Sequence, residues 1–310
     1  MVINVKPDTL VRFKDGKSEG TVKTYLAMLS KFYREAFNSE TFELAPLKNI
    51  QKVKKYLEKL STTSYKLITI ATVMMMKAAK APKELIDIYG KMARHSRIKD
   101  LQERQHRPVT DAEAEAHMPW GDILKLRDRY LKKLQDRDFV EDLTDLEGQR
   151  FFMKYLTLCL FTMIPPQRGQ VYFNCYIDKR PRNANYIDTK KGILHIKEHK
   201  TKRSYGDREI RLPPKLVSLI KDWRDFTNCE SGLLLCDSTG NKMSTQAFTQ
   251  FVNSTFDRKL STDMIRKIYT SHMYSKGLTE EQQKQLAYLL VHSWDVSKGY
   301  YVKDFKLSTQ

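Results

Sequence analysis

The chain has 310 residues, 41% of them hydrophobic, which is enough for one large domain or two ordinary domains with real cores. It carries 55 lysines and arginines against 37 aspartates and glutamates, a formal net charge of +18. An excess of this size indicates a polyanionic partner, either nucleic acid or an anionic membrane. A basic surface without such a partner is the alternative that composition leaves open.

Three classes of protein are excluded early. Charged residues interrupt the first 14 positions, so we expect no signal peptide and a protein that is not secreted. The longest apolar stretch, residues 67–76, is far shorter than the roughly 20 residues that span a bilayer and is predicted to be a buried helix. Four cysteines without a C-x-x-C pair indicate free thiols in a reducing compartment, not a disulfide framework.

The first third of the chain has the apolar spacing of helices. Residues 18–37, 49–60 and 64–81 repeat apolar side chains every three or four positions, which predicts three helices. Ser18 is the predicted N-cap of the first helix, and Pro82 is where the third should end. Basic residues occupy the other faces, so we predict a small helical bundle with a basic exterior.

A change of composition marks a boundary between domains. Residues 94–118 are dense in charge, poor in apolar residues and contain Pro108. This pattern predicts a partly helical interdomain linker. We therefore predict two domains, residues 1–107 and 108–310.

The second domain combines helices with a small sheet. Helices are predicted over residues 120–134 and 151–163, the latter a core helix that ends before Pro165. Alternating apolar residues between 186 and 212, separated by turn residues, predict a small antiparallel sheet. From residue 216 onward the pattern is again helical, so the fold class is mainly α with a small antiparallel β-sheet.

One motif resembles a zinc-binding pattern. Residues 195–199, His-Ile-Lys-Glu-His, match the H-x-x-E-H pattern of zinc peptidases. That pattern places both histidines on one face only in a helix. On the strand predicted here, at ~3.3 Å per residue, the histidines are too far apart for one metal. We therefore predict no metal at this motif, and because the sequence contains no P-loop or paired-carboxylate metal motif, we predict no other cofactor.

Five residues in the second domain have an informative order. They are Arg168 after the core helix, Lys200 in the hairpin, Arg266 in a later helix, then His292 and Tyr301. The histidine lies in Leu-Val-His-Ser, and Tyr301 follows it by nine positions. This order and spacing resemble the tyrosine recombinases, the family of phage-type integrases. The resemblance covers the whole chain and implies a helical, SAM-like core-binding domain followed by the catalytic, DNA breaking-rejoining domain.

The resemblance implies a role for each of these residues. Arg168 and Arg266 would bind the non-bridging oxygens of the scissile phosphate. Lys200 would protonate the leaving 5′-oxygen, with Lys202 in reserve, and His292 would bond the phosphate or assist proton transfer. Tyr301 would be the nucleophile that forms a 3′-phosphotyrosine.

Some positions depart from the family pattern. Asp263 stands where the family usually has histidine, three residues before the second arginine. We expect its carboxylate to face away from the phosphate, holding Lys267 or an arginine, because a carboxylate beside a phosphate is repulsive. Lys267 itself matches a position where the family often carries histidine or a basic residue.

The sequence thus predicts a metal-independent, site-specific DNA recombinase or integrase. The resemblance implies double-stranded DNA as partner, a homotetramer on paired sites and no membrane. The Tyr-Tyr-x-Lys and Pro-Pro-x-Arg segments suggest a divergent branch found in mobile elements and large DNA viruses, acting in a prokaryotic cytoplasm, a nucleus or a viral factory. A type IB topoisomerase and a catalytically silent DNA-binding protein are the alternatives. Predicted DNA contacts outside the catalytic set are Lys23, Lys31, Lys66 and Arg203.

Overall fold

The computed structural model describes residues 3–141, 143–227 and 232–302. Within them, side chains are not described for Arg104, Gln105, His106, Arg203, Ser204, Asp295, Tyr300 and Tyr301. The chain divides into two compact units, Met1–Arg107 and Pro108–Gln310, each with its own hydrophobic core.

The first unit is helical, as its apolar spacing predicts. Its helices are α1 (Pro7–Lys14), α2 (Glu19–Phe37), α3 (Ile50–Leu57), α4 (Thr62–Ala78) and α5 (Lys83–His106), with a 3₁₀ turn at Pro46–Lys48. The Ser18 side chain accepts a bond from the Thr21 N–H (3.3 Å), so Ser18 is the N-cap of α2 as predicted. Leu29, Phe32 and Tyr33 on α2 are fully buried in the core of this unit.

Helix α5 corrects the expected linker, because residues 94–106 continue it instead of connecting domains. Two of the residues that α5 buries there are polar, Ser96 and Asp100. The Ser96 hydroxyl lies 3.3 Å from that of Thr69 on α4, and Asp100 bonds Thr63 (2.9 Å) and Lys66 of the same helix. A helix packed through polar side chains gives no apolar periodicity, which is why the pattern suggested a linker.

The second unit contains the remaining helices and the sheet. Its helices are α6 (Asp111–Ala116), α7 (Trp120–Gln135), α8 (Arg137–Glu141), α9 (Asp145–Thr162), α10 (Gly169–Phe173), α11 (Lys202–Tyr205), α12 (Pro214–Thr227), α13 (Thr245–Phe256), α14 (Thr262–Tyr274), α15 (Glu280–Leu289) and α16 (Trp294–Val296), followed by a π-helical turn at Ser297–Tyr301. Helix α9 is the predicted core helix, with residues 156–161 all buried. Across the residues that the structure describes, no helix has the length and apolar character needed to cross a bilayer.

The sheet has four strands in the order β1 (Cys175–Ile177), β2 (Asn185–Asp188), β3 (Ile193–Ile196) and β4 (Arg208–Arg211). The pairs β2–β3 and β3–β4 are antiparallel, as predicted. Strand β1 joins the edge in parallel, so the sheet is mixed. Three residues are too few to show strand periodicity, and the sequence alone therefore gave no indication of β1.

Candidate active site

The end of α15 organises the candidate site. Val291 has a φ of +56°, a left-handed conformation that β-branched residues rarely adopt. Its N–H donates to the Tyr288 carbonyl, and the His292 N–H donates to the Ala287 carbonyl, both at 3.1 Å. These bonds form a Schellman motif, in which the left-handed position is usually glycine. The carbonyls of residues 289–291 lie at the negative end of the helix, where they accept bonds from other elements.

Arg266 on α14 is fully buried against this turn. Its Nη2 donates to the Leu290 carbonyl (2.7 Å), and its Nη1 donates to the Pro166 carbonyl (3.2 Å). One guanidinium therefore ties the end of α15 to the Pro-Pro loop that precedes α10. A fully buried arginine held by main-chain carbonyls is unusual for a merely basic surface and indicates a built site.

The loop before α10 brings the second arginine to the same turn. Arg168 is half-buried and its Nη1 lies 3.4 Å from the Val291 carbonyl. Gln167, which the sequence analysis did not select, is 1% exposed and donates through Nε2 to the Leu289 carbonyl (2.9 Å). Its main-chain N–H donates to the Tyr172 hydroxyl (2.7 Å). Gln167 thus fixes the loop that presents Arg168.

His292 follows the turn and is 5% exposed. Its Nδ1 lies 3.2 Å from the Ser293 carbonyl, which can only accept, so Nδ1 carries the proton. Burial and the positive charge of Arg266, with a smaller effect from Arg168, lower the pKa of His292 to about 3. The ring is therefore neutral at physiological pH, with its lone pair on Nε2.

The connection from β3 to β4, residues 197–207, approaches the same turn through Thr201. The Thr201 hydroxyl lies 3.3 Å from the Val291 carbonyl, the atom that Arg168 also contacts. The neighbouring Lys200 is exposed. Lys202 instead bonds Glu198 (2.8 Å), and this carboxylate raises the pKa of Lys202, which makes it a poorer proton donor than an unpaired lysine.

Lys267 is paired with a carboxylate from α6. It is 7% exposed, and its ammonium donates to Glu113 of α6 at 2.5 Å. Burial of Glu113 would raise the pKa of its carboxyl, but the bonds from Lys267 and Thr110 lower it to about 2. Asp263 is half-buried in the first turn of α14, where a carboxylate interacts favourably with the helix N-terminus. Glu113, a half-buried carboxylate that the sequence analysis did not select, is thus a partner of Lys267.

The terminal turn lies against the helix that carries Arg266. The backbone of Ser297–Tyr301 packs on α14, and the Tyr274 hydroxyl lies 3.2 Å from that of the fully buried Ser297. The side chain of Tyr301, the predicted nucleophile, lies outside the described residues. Its backbone position brings the end of the described chain to α14.

The predicted DNA contacts of the first unit separate into two groups. Lys23 and Lys31 are exposed on α2, where a phosphate can reach them. Lys66 is less accessible, because its side chain is 17% exposed and forms an ion pair with the buried Asp100. Its sequence context resembled that of the exposed lysines, and only the packing of α4 on α5 distinguishes it. Arg203 in the second unit has a side chain outside the described residues.

The histidines of the H-x-x-E-H motif have separate partners. The His195 ring stacks on Tyr186 at 4.3 Å, and its Nδ1 lies 2.9 Å from Glu209. His199 contacts Thr201 (3.3 Å) and the Gly206 carbonyl (2.9 Å). Among the described residues no group of three histidines, cysteines or carboxylates is placed to hold a metal ion.

The chain is similar to two solved recombinase structures. A crystal structure of XerA recombinase is 15% identical, the match covers 96% of this chain and 93% of that one, and the TM-score is 0.42. A structure of the XerH site-specific recombinase bound to its difH substrate, a pre-cleavage complex, is 14% identical, with 98% and 96% covered and a TM-score of 0.41. No protein-family model and no curated protein matches the sequence. Both similarities are remote, and the chemistry of this chain has to follow from its own side chains.

Proposed function

We propose that this protein is a site-specific DNA strand transferase of the tyrosine-recombinase type. The observation that carries the proposal is the convergence of Arg168, Arg266 and His292 on one helix end. The two guanidinium groups bond the consecutive carbonyls of Leu290 and Val291, and both lower the pKa of His292. Two arginines beside a neutral histidine suit an anionic phosphodiester whose charge increases during the reaction.

The chemistry follows from these groups. The Tyr301 oxygen attacks phosphorus, and the bond from phosphorus to the 5′-oxygen breaks, which leaves a 3′-phosphotyrosine and a free 5′-hydroxyl. The tyrosine proton passes to water, and His292, neutral and with its lone pair on Nε2, assists this transfer without keeping the proton, because its pKa is about 3. Lys200 gives a proton to the 5′-oxygen, and the arginines stabilise the added negative charge. Attack by a 5′-hydroxyl of another strand reverses these steps and joins the new strand.

The rest of the molecule supports binding to duplex DNA. Exposed lysines on α2 and the net charge of +18 supply phosphate contacts, and residues 1–107 form the core-binding domain in this proposal. Four protomers would assemble on two duplexes, in the manner of a mobile-element or viral integrase. Short direct or inverted repeats in the DNA that flanks the gene would identify the target sequence.

The decisive experiment is covalent trapping on a nicked suicide duplex. Wild-type protein is expected to form a protein–DNA adduct, whereas Tyr301→Phe binds DNA and forms none. Tyr300→Phe is the matched control and is expected to retain the adduct, because the nine-residue spacing from His292 selects Tyr301. Mass spectrometry that finds the nucleotide on Tyr300, or on neither tyrosine, contradicts the assignment.

A second assay separates the related activities. Strand exchange between two labelled duplexes is expected for a recombinase. Relaxation of supercoiled DNA without exchange would identify a topoisomerase. Absence of nicking by a protein that binds DNA would identify a catalytically silent relative.

A further inference from the structure

The first half of the β3–β4 connection, which leaves β3, contacts the end of α15. The Thr201 hydroxyl lies 3.3 Å from the Val291 carbonyl, across 90 residues of sequence. This contact is at the long end of the hydrogen-bond range, so it is weak and reversible. Thr201 directly follows Lys200 in the chain, and the bond therefore restricts where the lysine can lie.

The end of the connection, where the chain enters β4, contacts the same helix. The guanidinium carbon of Arg208, the first residue of β4, lies 4.3 Å from the ring centroid of Tyr288 on α15. Tyr288 is 52% exposed, so its ring is available as a platform on the surface of the helix. A guanidinium stacked on an aromatic ring at this distance is a favourable cation–π contact. Tyr288 and Val291 are one helical turn apart, so both attachments fall on one end of α15.

His199 closes the base of the connection. It is 7% exposed, and its Nε2 lies 2.9 Å from the Gly206 carbonyl, which can only accept a bond. In the neutral ring Nδ1 then has a lone pair, and it lies 3.3 Å from the Thr201 hydroxyl, so it shares the single hydroxyl proton with the Val291 carbonyl. Gly206 has a φ of +64°, which glycine adopts without strain as the chain turns back towards β4. One buried histidine thus joins the two limbs of the loop.

We infer that Thr201, Arg208 and Tyr288 form a hairpin latch that positions Lys200 at the site organised by Val291. His199 stiffens the loop that the latch holds. Lys200 is exposed between two constrained neighbours, so its backbone is fixed while its ammonium keeps its reach. The latch residues are positioning residues, because they act through Lys200. The inference rests on the proposed function only in assigning Lys200 as the proton donor.

The kinetic test compares two leaving groups. Thr201→Val removes the hydroxyl and keeps the shape, and we expect adduct formation on an ordinary suicide duplex to slow by between about two- and tenfold. Lys200→Ala is expected to slow it by about 100-fold or more. On a duplex whose scissile 5′-oxygen is replaced by sulfur, which leaves without a proton, both variants should regain the wild-type rate. Thr249→Val is the matched control, because the Thr249 hydroxyl donates to the Thr245 carbonyl within α13, and the rate of this variant should equal that of the wild type.

These rates distinguish the latch from general structural damage. A Thr201→Val variant that stays slow on the sulfur substrate, or that equals the wild type on the oxygen substrate, overturns the positioning role. Wild-type protein that forms no adduct on either substrate overturns the proposed function instead. A measurement that needs no activity then decides whether the latch exists.

That measurement is hydrogen exchange in the full-length protein. Thr201→Val and Tyr288→Ala are each expected to speed exchange of the amides of residues 198–207, and the double variant should speed it further. Tyr288→Phe keeps the ring and should exchange like the wild type, as should Thr249→Val. Unchanged exchange in both Thr201→Val and Tyr288→Ala would show that the contacts do not hold the hairpin, and would overturn the latch.

Discussion

Val291 shows how one residue sets the geometry of the site. Its left-handed backbone directs the carbonyls of Leu290 and Val291 to Arg266 and Arg168, and places His292 directly after the turn. A left-handed conformation costs an L-residue roughly 1–2 kcal/mol. The two Schellman bonds and the burial of the valine side chain, which is 3% exposed, offset that cost.

This strain predicts that the glycine and alanine variants of Val291 have the reverse of their usual order of stability. We expect Val291→Gly to be about 1 kcal/mol more stable than Val291→Ala, although it removes one more carbon, because glycine adopts a positive φ freely. Val252 is the matched control: it is equally buried, at 1% exposed, but lies inside α13. There the glycine variant should be about 1 kcal/mol less stable than the alanine variant. Urea unfolding measures all four, and the same order at both positions would contradict the role of strain at Val291.

The sequence predicted the candidate site residues but not the residues that hold them. Arg168, Arg266 and His292 were selected by their order along the chain, and the structure brings them together. Gln167 and Thr201 escaped selection because an amide or hydroxyl that bonds main-chain carbonyls leaves no spacing pattern. The partners of Lys66 and Lys267 were not predicted for a similar reason. An ion pair between residues far apart in the sequence cannot be detected from residue types alone.

At the scale of elements, α14 is braced by the end of the segment that was expected to be a linker and by the start of the helix that follows it. Glu113 of α6 pairs with Lys267, and Trp120 at the start of α7 packs on Tyr269 at 5.1 Å and stacks on His272 at 5.8 Å. These contacts lie on the helix that carries Arg266. The segment from Pro108 to Trp120 is therefore part of the scaffold of the second unit.

The ion pair provides a test of this brace. Glu113→Gln is expected to lower the free energy of unfolding at pH 7 by about 2–3 kcal/mol, because the buried ammonium of Lys267 loses the Glu113 carboxylate. The double variant Glu113→Gln with Lys267→Met should recover part of that loss. Glu280→Gln, in an exposed pair with Lys284, is the control and should lower the free energy of unfolding far less, because solvent screens that pair.

The pH dependence of this effect has a definite sign. The Glu113 carboxyl has a pKa of about 2 in the folded protein, below its ordinary value of 4.5. Its contribution is therefore complete above pH 4.5 and is lost as the pH falls towards 2. The difference in stability between the wild type and Glu113→Gln should shrink over that range. A constant difference would show that charge is not its origin.

At the scale of the whole molecule, the positive charge is unevenly divided. Residues 1–107 hold 22 lysines and arginines against 11 acidic residues, a net charge of +11, whereas residues 108–310 hold 33 against 26, a net charge of +7. Each unit also encloses its own core. The smaller unit thus has the higher density of charge, and the larger unit contains the candidate site.

This distribution of charge predicts how the affinity for DNA changes with salt and how it differs between the whole protein and each unit alone. Full-length protein is expected to lose at least about 100-fold in affinity between roughly 50 and 200 mM salt, because bound lysines and arginines release counterions. Residues 1–107 alone should bind weakly, and residues 108–310 alone should bind more weakly than the whole, because joining two modules raises their effective concentration. Fluorescence anisotropy measures all three proteins. Full-length affinity equal to that of the better single unit would contradict cooperation between the units.

The sequence by itself determined the helical bundle, the hairpin strands and the order of the candidate site residues. Local apolar periodicity and residue type carry that information, and both survive without knowledge of contacts. Only the tertiary structure decided that α5 continues through Ser96 and Asp100, that β1 joins the sheet, and that Lys66 and Lys267 are paired. Each of these depends on partners distant in sequence, and the left-handed Val291 depends on them as well, because its surroundings stabilise a conformation that valine alone disfavours.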